Sequence, residues 1–81
     1  MVTYSFTRPI ATLFVTRGQS VRLVCPPVLV PIRFRTISLK PGQAILVICN
    51  GRRVFVSCGP VRRIIRTVVL SHRERLTVKC L

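Results

Sequence analysis

Acidic residues are almost missing from this chain: Glu74 stands alone against 14 Lys and Arg. A carboxylate pair for general acid–base catalysis is therefore excluded. Histidine is as scarce. His72 lies in Ser71-His72-Arg73-Glu74-Arg75, which reads as a solvated turn with a local Glu–Arg pair. An activated nucleophile would need a cysteine, His72 and Glu74 to converge by chance. The four glycines are isolated, so no phosphate-cradling loop is present. No Cys-x-x-Cys pair occurs, and with it the usual zinc spacing is missing. The longest unbroken apolar run, Ala44 to Cys49, is far below the ~20 residues that span a bilayer. Met1 to Leu13 includes Arg8-Pro9 and no continuous apolar stretch of the kind a secretion signal carries. These absences predict a non-enzymatic protein without metal, cofactor, small-molecule substrate or membrane span. They place it in the cytoplasm, or in a particle such as a virion assembled there.

What is present points to strands. The 81 residues suffice for one domain, 1–81. Such a domain is marginal alone and gains from staples or a partner subunit. Apolar residues make up 49%, too many for a disordered basic tail. Val, Ile and Thr dominate, and these fit strands better than helices.

Three segments align without a gap over fourteen positions: Thr12 to Cys25, Thr36 to Cys49 and Thr67 to Cys80. Gln19, Gln43 and Glu74 coincide, as do Val21, Ile45 and Leu76, then Leu23, Val47 and Val78. Each reads as strand, tight turn, strand. Arg17-Gly18 and Pro41-Gly42 supply turn chemistry, while Arg73 replaces the Gly in the third copy and suggests a different turn. The expected fold is all-β, a small barrel or sandwich of about six or seven short strands built from three diverged units.

Two strands carry further information. Leu76, Val78 and Cys80 alternate with Arg75, Thr77 and Lys79, the pattern of a half-buried strand with a wet face. Ala44 to Cys49 is apolar on both faces, which predicts a central strand covered on both sides or by another subunit. Asn50-Gly51 follows it, a strong signal for a two-residue hairpin. That loop sets Cys49 opposite Arg52, Val47 opposite Val54 and Ile45 opposite Val56. Val61 to Leu70 has apolar residues at helical spacing, yet six of its ten residues are β-branched. The β-branching and the repeat alignment favour a strand.

Val15 to Cys25, VTRGQSVRLVC, resembles the strand that enters an immunoglobulin-type sandwich. The resemblance implies strand–turn–strand and no more. The chain has no Trp, and no Asp-x-Tyr-x-Cys precedes Cys80.

The cysteines are expected to be reduced and metal-free. Cys25, Cys49 and Cys80 end the three segments and Cys58 stands apart, so they read as small core residues.

The formal net charge is +13, a self-repelling excess that needs an anionic partner. The candidate polyanion-binding residues are Arg33, Arg35, Arg52, Arg53, Arg62, Arg63, Arg66, Arg73 and Arg75, at expected strand ends and turns. Arg gives bidentate contacts to phosphate or carboxylate that Lys cannot reproduce. Phe34 and Phe55 sit near such arginines, where a base-stacking platform can be built, although their first reading is as core residues. The expected function is a structural or accessory component of a larger assembly or homo-oligomer, for example a minor virion or capsid cement protein. Its arginine-rich surface would contact nucleic acid or acidic protein. A stand-alone nucleic-acid-binding module and a cationic, membrane-binding defence protein are the alternatives.

Overall fold

The computed structural model describes residues 2–60 and 63–81. Eight strands form: β1 (Val2–Ser5), β2 (Ile10–Val15), β3 (Ser20–Val24), β4 (Arg33–Leu39), β5 (Gln43–Cys49), β6 (Arg52–Cys58), β7 (Arg63–Val69) and β8 (Glu74–Cys80). No helix occurs among the described residues, so none is long and apolar enough to cross a membrane. The ambiguous segment is strand β7, as its β-branched residues favour. Val61 and Arg62, which precede it, lie outside the described residues.

The strands form two sheets of four. The first has the order β1-β3-β8-β4 and the second β2-β6-β5-β7. In each the central pair is antiparallel and both outer pairs are parallel. Each sheet keeps two edge strands, so neither closes into a barrel. The buried side chains of both sheets form one cluster, with Leu23, Leu76 and Val78 from the first and Ile45, Val47, Val54 and Val56 from the second.

Where local chemistry dominates, the expected structure forms. Asn50 and Gly51 both take positive φ, 49° and 78°, as a two-residue hairpin with right-handed strand twist requires. The register is the expected one: Cys49 opposite Arg52, Val47 opposite Val54, Ile45 opposite Val56. Strand β8 buries Leu76, Val78 and Cys80. Strand β5 is central in its sheet. Its inward Ile45, Val47 and Cys49 are buried, and of its outward side chains Ala44 is buried while Leu46 and Ile48 are half-buried.

The three aligned turns share one hydrogen bond. The amides of Gln19, Gln43 and Glu74 donate to the carbonyls of Thr16, Lys40 and Ser71. Gly18 and Gly42 take φ of 83° and 87°, whereas Arg73 does not have positive φ, so the third turn does differ. None of the three is a hairpin. In each, the chain leaves one sheet and enters the other: β2 to β3, β4 to β5, β7 to β8.

The ladders repeat twofold rather than threefold. Val21 and Leu23 of β3 face Val78 and Leu76 of β8. Val54 and Val56 of β6 face Val47 and Ile45 of β5 in the same way. Ile37 lies beside Val78 as Val68 lies beside Val47. Val2 and Tyr4 lie beside Val21 and Leu23 as Ala11 and Leu13 lie beside Val54 and Val56. Thus β3–β4–β5 and β6–β7–β8 occupy equivalent places in opposite sheets. Strand β7 departs by a bulge at Ile65, left without a partner between Ile64 and Arg66.

This twofold relation corrects the expectation for the cysteines. Cys58 does not stand apart: it is the counterpart of Cys25, as Cys80 is of Cys49. Two disulfides result, Cys25–Cys49 with Cα atoms 5.8 Å apart and Cys58–Cys80 with Cα atoms 5.2 Å apart, and no cysteine is free. Each joins one sheet to the other. Aligning three segments grouped Cys25 with Cys49 and Cys80 as equivalents, when Cys25 and Cys49 are partners.

Candidate polyanion-binding surface

Strand alternation and the pairing of β3 with β8 together build a cationic face on the outside of the first sheet. Arg22 projects between Val21 and Leu23, and Arg75, Thr77 and Lys79 project from β8 opposite its buried side chains. The ladders order them in three cross-strand rows. Ser5, Val24, Arg75 and Phe34 form one, Thr3, Arg22, Thr77 and Thr36 the next, Ser20, Lys79 and Ser38 the last. The face holds three cations and no acid among hydroxyl side chains. Phe34, first read as core, is 67% exposed at its margin beside Arg75. The Nε atoms of Arg22 and Arg75 are buried and have no hydrogen-bond partner.

Arg33, Arg35 and Arg73 gather at the end of this sheet where β4 and β8 begin. The Arg33 amide donates to the Arg73 carbonyl at 2.8 Å, and Arg73 Nη1 donates to the Val30 carbonyl at 3.1 Å. A cleft of about 390 Å³ lies between Pro31, Arg33, Ser71, Arg73 and Glu74. Arg35 is partly committed to the single acid, with its Nη1 3.4 Å from Glu74 Oε2. His72 is occupied locally, its Nδ1 3.2 Å from the Cys25 carbonyl and 3.6 Å from Cys25 Sγ.

The other expected arginines are dispersed. Arg52 Nη1 donates to the Phe6 carbonyl and so helps hold the β1–β2 connection. Arg53 is exposed on the outside of the second sheet, opposite Ile48. Arg63 and Arg66 are exposed on edge strand β7, and Arg63 lines an open cleft of about 770 Å³ with Lys40 and Gln43. Arg62 lies outside the described residues. Of the nine, Arg33, Arg35 and Arg73 are brought together where β4 and β8 begin, and Arg75 lies on the outer face with Arg22 and Lys79. Arg22 and Lys79 were missed. Alternation marks both as wet-face residues, but only the β3–β8 ladder makes them neighbours of Arg75.

Burial pushes the Glu74 carboxyl up, and hydrogen bonds from Ser71 and the Arg35 guanidinium outweigh this and hold it below the usual glutamate value. A depressed carboxyl contributes stability above its unfolded value, which is lost as pH falls through the usual range and past the folded value. Acidification should therefore lower the unfolding free energy of the native chain more than that of Glu74→Gln. Equal acid sensitivity in the two, measured by denaturant titration, would show that the pair contributes nothing.

No family model matches this sequence, and no curated protein or solved structure is similar enough to it to show kinship.

Proposed function

We propose that this chain is a non-catalytic, polyanion-binding accessory component of a larger assembly, with its two sheets packed as a sandwich. The outer face of the first sheet carries the reading: Arg22, Arg75 and Lys79 stand in adjacent rows, with no acid among them and Phe34 exposed at the margin. Cations beside an exposed aromatic suit single-stranded nucleic acid, whose phosphates take the guanidinium nitrogens and whose bases stack. Acidic protein is the second candidate partner. The two disulfides support an oxidising surrounding.

The test is salt dependence. Each phosphate contact on a single strand contributes about −0.7 to the slope of log affinity against log salt. Replacing Arg22, Arg75 and Lys79 with Gln should flatten the slope for an oligonucleotide by about 2, while Arg63→Gln with Arg66→Gln should change it less. An unchanged slope, with weakened binding to an acidic polypeptide, would put protein in place of nucleic acid.

A further inference from the structure

The equivalent positions on the second sheet have the opposite chemistry. Where the first sheet has Arg22, Thr77 and Lys79, the second has Phe55, Leu46 and Ile48. The fold therefore accepts a polar outer face, and the apolar one is not a requirement of its packing. At the corners of this face Ile10, Phe14, Ile64 and Val69 are 65%, 62%, 50% and 69% exposed. Half-buried Leu46 and Phe55 lie between the edge strands. One free side chain left in water in this way is ordinary, but apolar side chains on all four strands of one sheet face, interrupted only by Arg53 and small hydroxyl residues, mark a contact surface.

We propose that this face seats on an anionic phospholipid surface, independently of the polyanion site on the opposite sheet. The cations around it select that occupant. Arg8 and Arg17 flank β2 and Arg53 lies in the end row between Ile10 and Ile48, all three exposed, whereas Arg63 and Arg66 of β7 alternate with Ile64 and Thr67 and belong to the other side of the sheet. The one acid, Glu74, belongs to the first sheet. A second copy placed face to face would bring Arg8, Arg17 and Arg53 against like charges with no acid to pair them. A bilayer with acidic headgroups takes the apolar side chains at the acyl boundary and Arg8, Arg17 and Arg53 at the phosphates. Each cation held near such a surface contributes about fivefold in affinity.

The chain has no Trp, so single-Trp probes are unambiguous. Phe14→Trp and Phe34→Trp, both at exposed sites on opposite faces, are mixed with vesicles of two parts phosphatidylcholine to one part phosphatidylserine carrying brominated acyl chains. The Trp at position 14 should shift to the blue and be quenched, and the Trp at position 34 should do neither. Vesicles of phosphatidylcholine alone should bind at least about tenfold more weakly. Replacing Ile10, Phe14 and Val69 with Thr should reduce binding at least about tenfold while circular dichroism and oligonucleotide binding stay unchanged. Three results would each overturn the proposal: quenching at position 34 instead of 14, vesicle binding unaffected by the Thr replacements, or lipid-free dimers in sedimentation that those replacements abolish. Loss of oligonucleotide binding in the Arg22, Arg75 and Lys79 variant bears on the polyanion site alone.

Discussion

Replacing Cys58 and Cys80 together with Ala should lower the unfolding free energy by about 3 kcal/mol. The bridge spans a sequence separation of 22 residues, and Cys25–Cys49 spans 24, so each removes a similar amount of freedom from the unfolded chain. Their placement adds to this. Cys25 follows β3 in the first sheet and Cys49 ends β5 in the second; Cys58 ends β6 and Cys80 ends β8. The bridges thus clamp the sheets at both ends of the shared core. Small domains hold only about 5–15 kcal/mol in total, so reducing both bridges should unfold the chain or leave it on the edge of unfolding. Denaturant titration with and without reductant measures the effect. Thiol titration of the denatured chain should find no free groups until reductant is added. Four free thiols without reductant would remove this account and return the cysteines to simple core packing.

Leu76→Ala should be nearly as costly, about 3 kcal/mol. Leu76 is fully buried, opposite Leu23 on β3 and beside Arg35 on β4, so its truncation leaves a hole at the centre of the first sheet's inner face. Thr77→Ala, one residue on and facing outward, should change stability by less than about 0.5 kcal/mol. Equal costs at the two positions, from the same denaturant titrations, would mean that β8 does not have one dry and one wet face.

Much of the β structure was legible residue by residue. Side chains alternate with period two whatever the sheet, so Leu76, Val78 and Cys80 declare a buried face before any partner strand is known. Asn50-Gly51 carries its own conformation, because both residues tolerate positive φ, and the loop length then sets every pair from Cys49–Arg52 to Ala44–Ser57. The β-branched residues of β7 outweighed their helical spacing. The same locality explains the misreading of the other turns. A Gly at positive φ reverses the chain at Arg17-Gly18 and at Pro41-Gly42. It does not say whether the next strand pairs with the last one or crosses to another sheet.

By itself, then, the sequence determined an all-β chain, its alternating faces, one hairpin register and an excess of positive charge. Those features follow from backbone sterics, side-chain period and composition, which act within a few residues. Tertiary structure alone decided that β3 pairs with β8, that the repeat is twofold, and that four cysteines form Cys25–Cys49 and Cys58–Cys80 out of three possible connectivities. It also decided that Arg22, Arg75 and Lys79 share one outer face while Phe14, Ile64 and Val69 share the other. These outcomes depend on contacts between residues far apart in sequence, and the driving force is burial of apolar side chains from both sheets in one cluster. That force is non-directional: it requires a partner for each face without naming which strand supplies it.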